Sequence, residues 1–249
     1  MKNHYFLLLG IFSLFALNSC SKNEDDSEFD NFKYEDNNPH VAVDLGLSVK
    51  WATMNIGAST PESSGDFFAW GEPAPYYTSF SPLSYRNGKE YGYYWPSYKY
   101  CKCDEYGDNY IMIKYCNDSS YGYNGYKDNL SVLESGDDAA HVVWGGKWRM
   151  PTIEEVEELL NKCDSKWTTQ NGVRGFIIKS RTNDNSIFLP LTGCFGQSFA
   201  TTGYDGFYWS SSLSDGNPVF AEAIMLAPYE MEVESYHRRY GFCIRPVCE

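Results

Sequence analysis

The sequence predicts a domain made mostly of short β-strands and loops, with one main helix. Its apolar runs are short, and turn dipeptides such as Asn171-Gly172 and Asp215-Gly216 separate them, which is typical of strands joined by tight turns. Aromatic residues and glycines recur along the whole chain, whereas strong helical signals begin at Thr152. The predicted strands lie within residues 41–43, 67–70, 176–178, 187–191, 219–226 and 242–247.

The N-terminal segment is predicted to be a signal peptide. Lys2 supplies a positive charge before an apolar run at residues 5–17, which only Gly10 and Ser13 interrupt. A transmembrane helix needs ~20 apolar residues, whereas the core of a signal peptide needs only ~7 to 15. We therefore assign residues 1–19 to a signal peptide.

The end of this segment predicts a lipid anchor. Leu17-Asn18-Ser19-Cys20 resembles a lipobox, in which the cysteine becomes the first residue of the mature chain and carries the lipid. The alternative is a plain secretory signal with a chance cysteine, which the polar sequence behind Cys20 disfavours. The sequence thus predicts a membrane partner, reached through lipidation of Cys20.

An acidic stretch follows Cys20. Residues 21–38 hold seven acidic side chains and two lysines, a composition that cannot bury a core, so residues 20–38 are predicted to be a solvated tether. The acidic run also resembles the surface-export signal of Bacteroidota lipoproteins, which implies the outer face of the outer membrane. An acidic spacer without a sorting role is the alternative.

Residues 39–249 have the length of a single domain with its own core. The chain carries 33 acidic and 20 basic side chains, a net charge of −13. Nucleic-acid binding needs Lys and Arg to replace the counterions of phosphates, so this balance argues against a nucleic-acid partner.

The stretch at residues 91–98 is the densest aromatic segment and the first candidate for a ligand surface. Aromatic rings stack on the apolar faces of sugars, while carboxylates and amides bond to sugar hydroxyls. The alternative is a strand pair whose rings pack the core. The candidate ligand-binding residues are Tyr93, Tyr94, Trp95, Tyr98 and Trp209.

Seven cysteines remain beyond Cys20, and an exported chain meets an oxidising environment that favours disulfides. An odd number leaves at least one thiol without an internal partner. We expect Cys101 and Cys116 to clamp a hairpin. A zinc site at Cys101, Cys103 and Cys116 is disfavoured, because no histidine or fourth cysteine lies at ligand spacing.

The main helix is predicted to begin at Thr152, where Thr152 and Glu155 fit a capping box. Apolar residues then recur at helical spacing, while the neighbouring glutamates form a solvated face; a catalytic carboxylate cluster is the alternative for them. A second short helix is predicted at residues 137–141, with an aspartate as N-cap. Metal binding by Asp137 and Asp138 is the alternative.

Taken in order, six blocks resemble the Fibrobacter succinogenes major paralogous domain family, from about Val41 to the C-terminus. This family is found in exported and lipid-anchored proteins of Bacteroidota and is similar to C-type-lectin-like domains. The blocks are Val43-Asp44-Leu45-Gly46-Leu47, Lys50-Trp51-Ala52-Thr53, Gly65-Asp66-Phe67-Phe68-Ala69-Trp70-Gly71-Glu72, Trp148-Arg149-Met150-Pro151-Thr152, Tyr208-Trp209-Ser210-Ser211-Ser212 and Ile244-Arg245-Pro246-Val247.

The resemblance implies a C-type-lectin-like α+β fold with one main helix, short twisted antiparallel strands and long loops. Cys194 and Cys243 stand where the family pattern implies other residues, and from this departure we expect these two cysteines to form a disulfide. The calcium-dependent sugar motifs of true C-type lectins, Glu-Pro-Asn or Gln-Pro-Asp with Trp-Asn-Asp, are absent, so the resemblance implies no metal.

No catalytic apparatus is evident in the sequence. Nucleophile-elbow, phosphate-loop and dinucleotide motifs are absent, so we predict a protein that is not an enzyme and carries no cofactor or metal. The predicted function is that of a surface-exposed lipoprotein that recognises an extracellular glycan or a protein. The alternatives are a structural or assembly subunit of the envelope and, less favoured, a divergent enzyme.

Overall fold

Short antiparallel strands dominate the structure, a computed structural model that describes residues 36–75, 83–86, 89–103, 109–196, 200, 201 and 203–249. Most strands are short, and the five longest have eight residues each. In chain order the strands are β1 (Ala42–Val43), β2 (Lys50–Ala52), β3 (Leu83–Arg86), β4 (Lys89–Gly92), β5 (Cys101–Lys102), β6 (Ile111–Met112), β7 (Cys163–Gln170), β8 (Val173–Ser180), β9 (Ser186–Pro190), β10 (Cys194–Phe195), β11 (Ala200–Thr201), β12 (Gly206–Leu213), β13 (Phe220–Ala227), β14 (Glu230–His237) and β15 (Val247–Cys248).

The strands pair into small sheets. Two three-stranded sheets, β7-β8-β9 and β12-β13-β14, contain all the eight-residue strands, and a third, β1-β2-β15, joins the beginning and the end of the described chain. Three two-stranded sheets complete the described residues: β3-β4, β5-β6 and β10-β11. Every pairing between these strands is antiparallel.

Within the described residues, two α-helices connect the sheets. Helix α1 (Ala139–Trp144) begins after Asp138, whose side chain accepts from the His141 backbone N–H as N-cap. Helix α2 (Ile153–Lys162) begins after Thr152 with the predicted capping box, in which the Thr152 hydroxyl and the Glu155 carboxylate each bond a backbone N–H of the first turn. Both helix starts are therefore confirmed. Two further three-residue segments, Trp95–Ser97 and Tyr123–Gly125, form 3₁₀ turns.

Aromatic side chains fill the core between these elements. Several of these rings hydrogen-bond backbone carbonyls through their polar edges: Trp70 Nε1 donates to Ser210 O at 2.9 Å, and Trp209 Nε1 donates to Phe68 O at 2.9 Å. The Tyr208 hydroxyl donates to Pro190 O at 2.6 Å. A Trp or Tyr side chain that packs through its ring faces and donates a hydrogen bond from its polar edge can be fully buried without an unpaired polar atom.

The prediction of an α+β, C-type-lectin-like fold is wrong, because the structure is β-rich. Of the two helices in the described part of the chain, α2 has ten residues and α1 has six. Helix α2 ends directly at Cys163, the first residue of β7, so a segment with no helical pattern beyond that point continues as a long hairpin. Among the described residues, all strand pairs except β2–β15 are antiparallel hairpins between strands that are consecutive in the chain.

The domain begins earlier than the predicted boundary at residue 39. The Asp36 carboxylate accepts from Gly57 N at 2.7 Å and from Trp144 Nε1 at 2.9 Å, and the His40 ring stacks on Trp144 with centroids 4.0 Å apart. The end of the predicted tether is thus bound to the domain. The described residues belong to a unit that spans Tyr34–Glu249. Within them, no helix has the length and apolar character to cross a membrane.

Candidate functional site

The aromatic stretch that the sequence favoured as a ligand surface lies mainly in the core. Tyr93, Trp95 and Tyr98 are buried, as is Trp209, and Tyr94 is half-buried. The Tyr98 hydroxyl donates to Trp70 O at 2.8 Å, and the Tyr93 hydroxyl bonds Phe67 O. The four buried rings cannot stack on a ligand. They pack the core instead, as in the alternative interpretation.

The expected disulfides are not present among the seven cysteines of the described residues. Phe195 pairs with Gly241 in an antiparallel bridge, and continuing that register places Cys194 opposite Phe242 and not opposite Cys243. An offset of one residue in a pleated pair points two side chains to opposite faces. Cys101 pairs instead with Met112, and the Cys116 thiol donates to Asp118 O at 3.1 Å.

Tyr229 is the most exposed large apolar or aromatic side chain of the described residues, at 82%. It occupies the two-residue turn between β13 and β14, where Ala227 pairs with Glu230. The ring of Pro228 fixes φ near −65°, and Tyr229 has φ 72°, so the φ signs are those of a type II turn. That second turn position favours Gly or Asn, and a bulky residue with this backbone costs ~1–2 kcal/mol.

Trp167 lies beside Tyr229. Their ring centroids are 5.6 Å apart with a tilt of 48°, and the Trp167 ring also meets the edge of Phe176 at 5.2 Å. Phe176 is buried beneath it, and Trp167 is half-buried on β7. The core therefore fixes the Trp167 ring from below while part of it remains open to solvent.

Tyr204 and Arg174 extend the same surface. Tyr204 is 71% exposed, and the guanidinium carbon of Arg174 lies 5.8 Å from its ring centroid. In the β7–β8 register Trp167 opposes Phe176 and Thr169 opposes Arg174, so Trp167 and Arg174 are diagonal neighbours on one face. We call Trp167, Arg174, Tyr204 and Tyr229 the aromatic patch.

Backbone hydrogen bonds join the two sheets that supply the aromatic patch. Arg174 O accepts from Leu191 N at 2.9 Å, and Gly193 N donates to Asp205 O at 2.7 Å. Gly206 opposes Leu226 in the β12–β13 register, so Tyr204 and Tyr229 extend from the same end of that sheet. The aromatic patch is thus built on a rigid junction.

A groove of about 360 Å³ lies at the opposite end of the same sheet. Its apolar lining includes Val132 and Val233, and four carboxylates line it as well. These belong to Glu154, Glu157, Asp215 and Glu222. Within the described residues, no group of three or more His, Cys, Asp or Glu side chains is arranged to hold a metal ion. The exposed glutamates of α2 thus also form one wall of this groove.

The three histidines of the domain serve packing and capping. His40 stacks on Trp144, and His237 stacks on Phe220 with centroids 4.4 Å apart. Burial, followed by the nearby Arg239 charge, lowers the pKa of His237 to about 4. His141 lies in α1, where its ring bonds Trp148 O at 3.3 Å.

No family model, no curated protein and no solved structure matches the chain. The resemblance to the Fibrobacter succinogenes major paralogous domain therefore stays a prediction from the six sequence blocks. A C-type-lectin-like fold has no support from these comparisons.

The sequence did contain a signal for the aromatic patch. Residues 219–226 were recognised as a strand, and Pro228-Tyr229 follows directly, with neither Gly nor Asn at the turn position that requires a positive φ. An exposed aromatic residue at such a turn is a candidate binding residue. Cys20 and most of the tether lie outside the described residues.

Proposed function

We propose that this chain binds glycan on the aromatic patch. The observation that carries the proposal is Tyr229, which stands 82% exposed in a left-handed backbone conformation beside Trp167. The fold gains little buried surface from this ring to offset its backbone strain. A strained, solvent-exposed aromatic side chain supports a role in binding, since strain of this kind clusters at ligand sites.

The chemistry of the aromatic patch suits a sugar. Trp167, Tyr204 and Tyr229 offer ring faces to the apolar side of a pyranose, and polar groups stand at their rim on Arg174 and Thr169. A stable protein interface buries about 800 Å² per partner around an apolar centre. A few separate rings with polar neighbours fit a small, amphipathic ligand better.

The proposed location is the outer surface of the outer membrane, through a lipid on Cys20. Its support is the lipobox and the acidic run behind it, both in the sequence alone. We expect Cys20→Ala to abolish incorporation of labelled fatty acid and to release the protein from membranes. Continued labelling of the variant would contradict the anchor.

The binding proposal is tested with a glycan array probed by the unit Tyr34–Glu249, which retains the Asp36 contacts. We expect Trp167→Ala to weaken binding of the retained glycan by tenfold or more, about 1.4 kcal/mol. Tyr123→Ser serves as a control, because Tyr123 is 42% exposed on a separate 3₁₀ turn. Retention of no glycan, or equal losses in both variants, would contradict the proposal and favour an assembly role.

A further inference from the structure

Arg174 is an exposed arginine that no carboxylate of the described residues neutralises. Arg181, also exposed, donates to Asp164 Oδ1 at 2.7 Å, and Arg149 is paired with Glu155 at 2.5 Å. Arg174 instead contacts the Gly203 carbonyl and the Tyr204 ring. In a chain of net charge −13, an exposed guanidinium without a carboxylate partner stands out from its surroundings.

Contacts hold this guanidinium in place while most of its donors remain available. Nη2 of Arg174 donates to Gly203 O at 2.7 Å, and the guanidinium lies 5.8 Å from the Tyr204 ring centroid. The backbone of Arg174 is fixed as well, since its carbonyl accepts from Leu191 N. A guanidinium has five N–H donors, so one bond to Gly203 leaves a fork that can hold a carboxylate in bidentate geometry.

We propose that the aromatic patch selects acidic glycans, with Arg174 binding the carboxylate of a sugar whose ring faces stack on Trp167, Tyr204 or Tyr229. This inference rests on the proposed function. Arg174 is a diagonal neighbour of Trp167 on one sheet face and contacts Tyr204, so charge and ring faces belong to one surface. The four carboxylates of the groove lie at the other end of the β12-β13-β14 sheet, away from this surface.

The experiment compares oligogalacturonate with its fully methyl-esterified form on the purified full chain. The two probes offer the same ring faces, and only the first carries carboxylates. We expect the acidic form to bind at least tenfold more tightly, with an advantage that shrinks as salt is raised, because exposed charges are screened. Arg174→Gln is expected to bring the ratio of the two affinities close to one, whatever it does to the affinity for the ester, and Arg174→Lys is expected to keep part of the ratio.

Arg181→Gln is the matched control, since it removes a second exposed arginine and leaves the aromatic patch intact. A preference lost in the Arg174 variants and kept in Arg181→Gln supports the inference. Equal affinity of the wild type for the two probes would overturn the acidic preference and leave glycan binding standing. The same conclusion would follow if Arg174→Gln lowered the affinity for both probes by the same factor. If the wild type binds neither probe nor any arrayed glycan, the proposed function falls, and this inference with it. Should Arg174→Gln melt below the assay temperature, Arg174→Lys decides the outcome by the same ratio of affinities.

Discussion

Among the residues that the structure describes, Tyr115 and Tyr229 have a left-handed backbone, and the surroundings explain the conformation of Tyr115 alone. Tyr115 has φ 55° and is fully buried, its N–H donates to the Asp128 carboxylate at 2.7 Å, and its hydroxyl donates to Asp137 at 2.7 Å. Those contacts offset the strain. Tyr229 has φ 72° and is 82% exposed, so its conformation has no comparable compensation within the fold.

Tyr229→Gly separates folding from binding, because Gly adopts a positive φ without steric cost. We expect the variant to be as stable as the wild type or up to ~1 kcal/mol more stable, although the added freedom of glycine in the unfolded chain offsets part of the gain. Glycan affinity is expected to fall at least tenfold. Chemical denaturation and binding titration on the same preparation measure both quantities. A less stable variant with unchanged affinity would show that Tyr229 serves the fold.

The buried hydrogen bonds of Arg245 could not be predicted from the sequence. Its guanidinium is 1% exposed and donates to Asn55 Oδ1 at 2.7 Å, Ala52 O at 3.2 Å and Phe188 O at 3.0 Å. Burial lowers the pKa of this group to about 10, so it remains a cation at neutral pH. The block Ile244-Arg245-Pro246-Val247 was recognisable, but backbone carbonyls are its main acceptors, and their positions depend on the fold rather than on residue type.

At the scale of elements, local signals were predictable and pairings were not. The capping box at Thr152 and the Asn171-Gly172 turn are set by adjacent residues, and the structure places a helix start and a hairpin turn there, with φ 49° and 84° at the two turn residues. The contact between Trp167 and Tyr229 depends instead on how two sheets meet. The residue pattern within one segment cannot predict the distance between two rings that lie on different sheets.

The capping box gives a prediction for α2. Thr152→Ala removes the hydroxyl that accepts from Glu155 N, leaving one N–H of the first turn without its cap, so we expect unfolding free energy to fall by about 1 kcal/mol. Urea denaturation followed by circular dichroism measures this loss. Glu154→Ala is the control, because Glu154 is exposed on the same turn and takes no part in the cap; its change should stay within ~0.5 kcal/mol. Equal losses in the two variants would show that the cap contributes nothing.

At the scale of the whole molecule, the proposed binding surface and the acidic groove lie at opposite ends of one sheet. The groove carboxylate of Glu222 lies five residues before Ala227, the end of β13 beside the aromatic patch, which is about 16 Å at ~3.3 Å per residue and exceeds the ~10 Å screening length at 0.1 M salt. The groove carboxylates therefore contribute little repulsion at the aromatic patch. Recognition of an acidic sugar in a chain of net charge −13 therefore depends on the direct contact with Arg174, because Glu230 beside Tyr229 also contributes negative charge at the aromatic patch.

The charge distribution also predicts how the domain responds to acid, with Asp137 as the main example. Its side chain is 10% exposed and receives hydrogen bonds from Lys114 at 2.6 Å, from the Tyr115 hydroxyl at 2.7 Å and from Lys99 at 3.2 Å. Burial alone raises the pKa of the Asp137 carboxyl, but these bonds and one from Tyr100 more than offset it and hold the pKa well below its ordinary 3.8.

A carboxyl whose pKa is lower in the folded state stabilises the fold above its unfolded pKa and loses that contribution as pH falls. Wild-type stability should therefore decline as pH drops below about 4, by up to ~1.4 kcal/mol per pH unit for this one group. We expect Asp137→Asn to be less stable at pH 7 by about 2 kcal/mol, since bonds to a charged acceptor are lost, and to show a shallower decline between pH 4 and pH 2. Asp184→Asn is the matched control, because the Asp184 carboxylate is fully exposed in its pair with Lys179. Denaturation midpoints at several pH values measure how stability changes with pH in each variant. If the wild-type and Asp137→Asn curves were parallel, Asp137 and its hydrogen-bond partners would not govern acid stability.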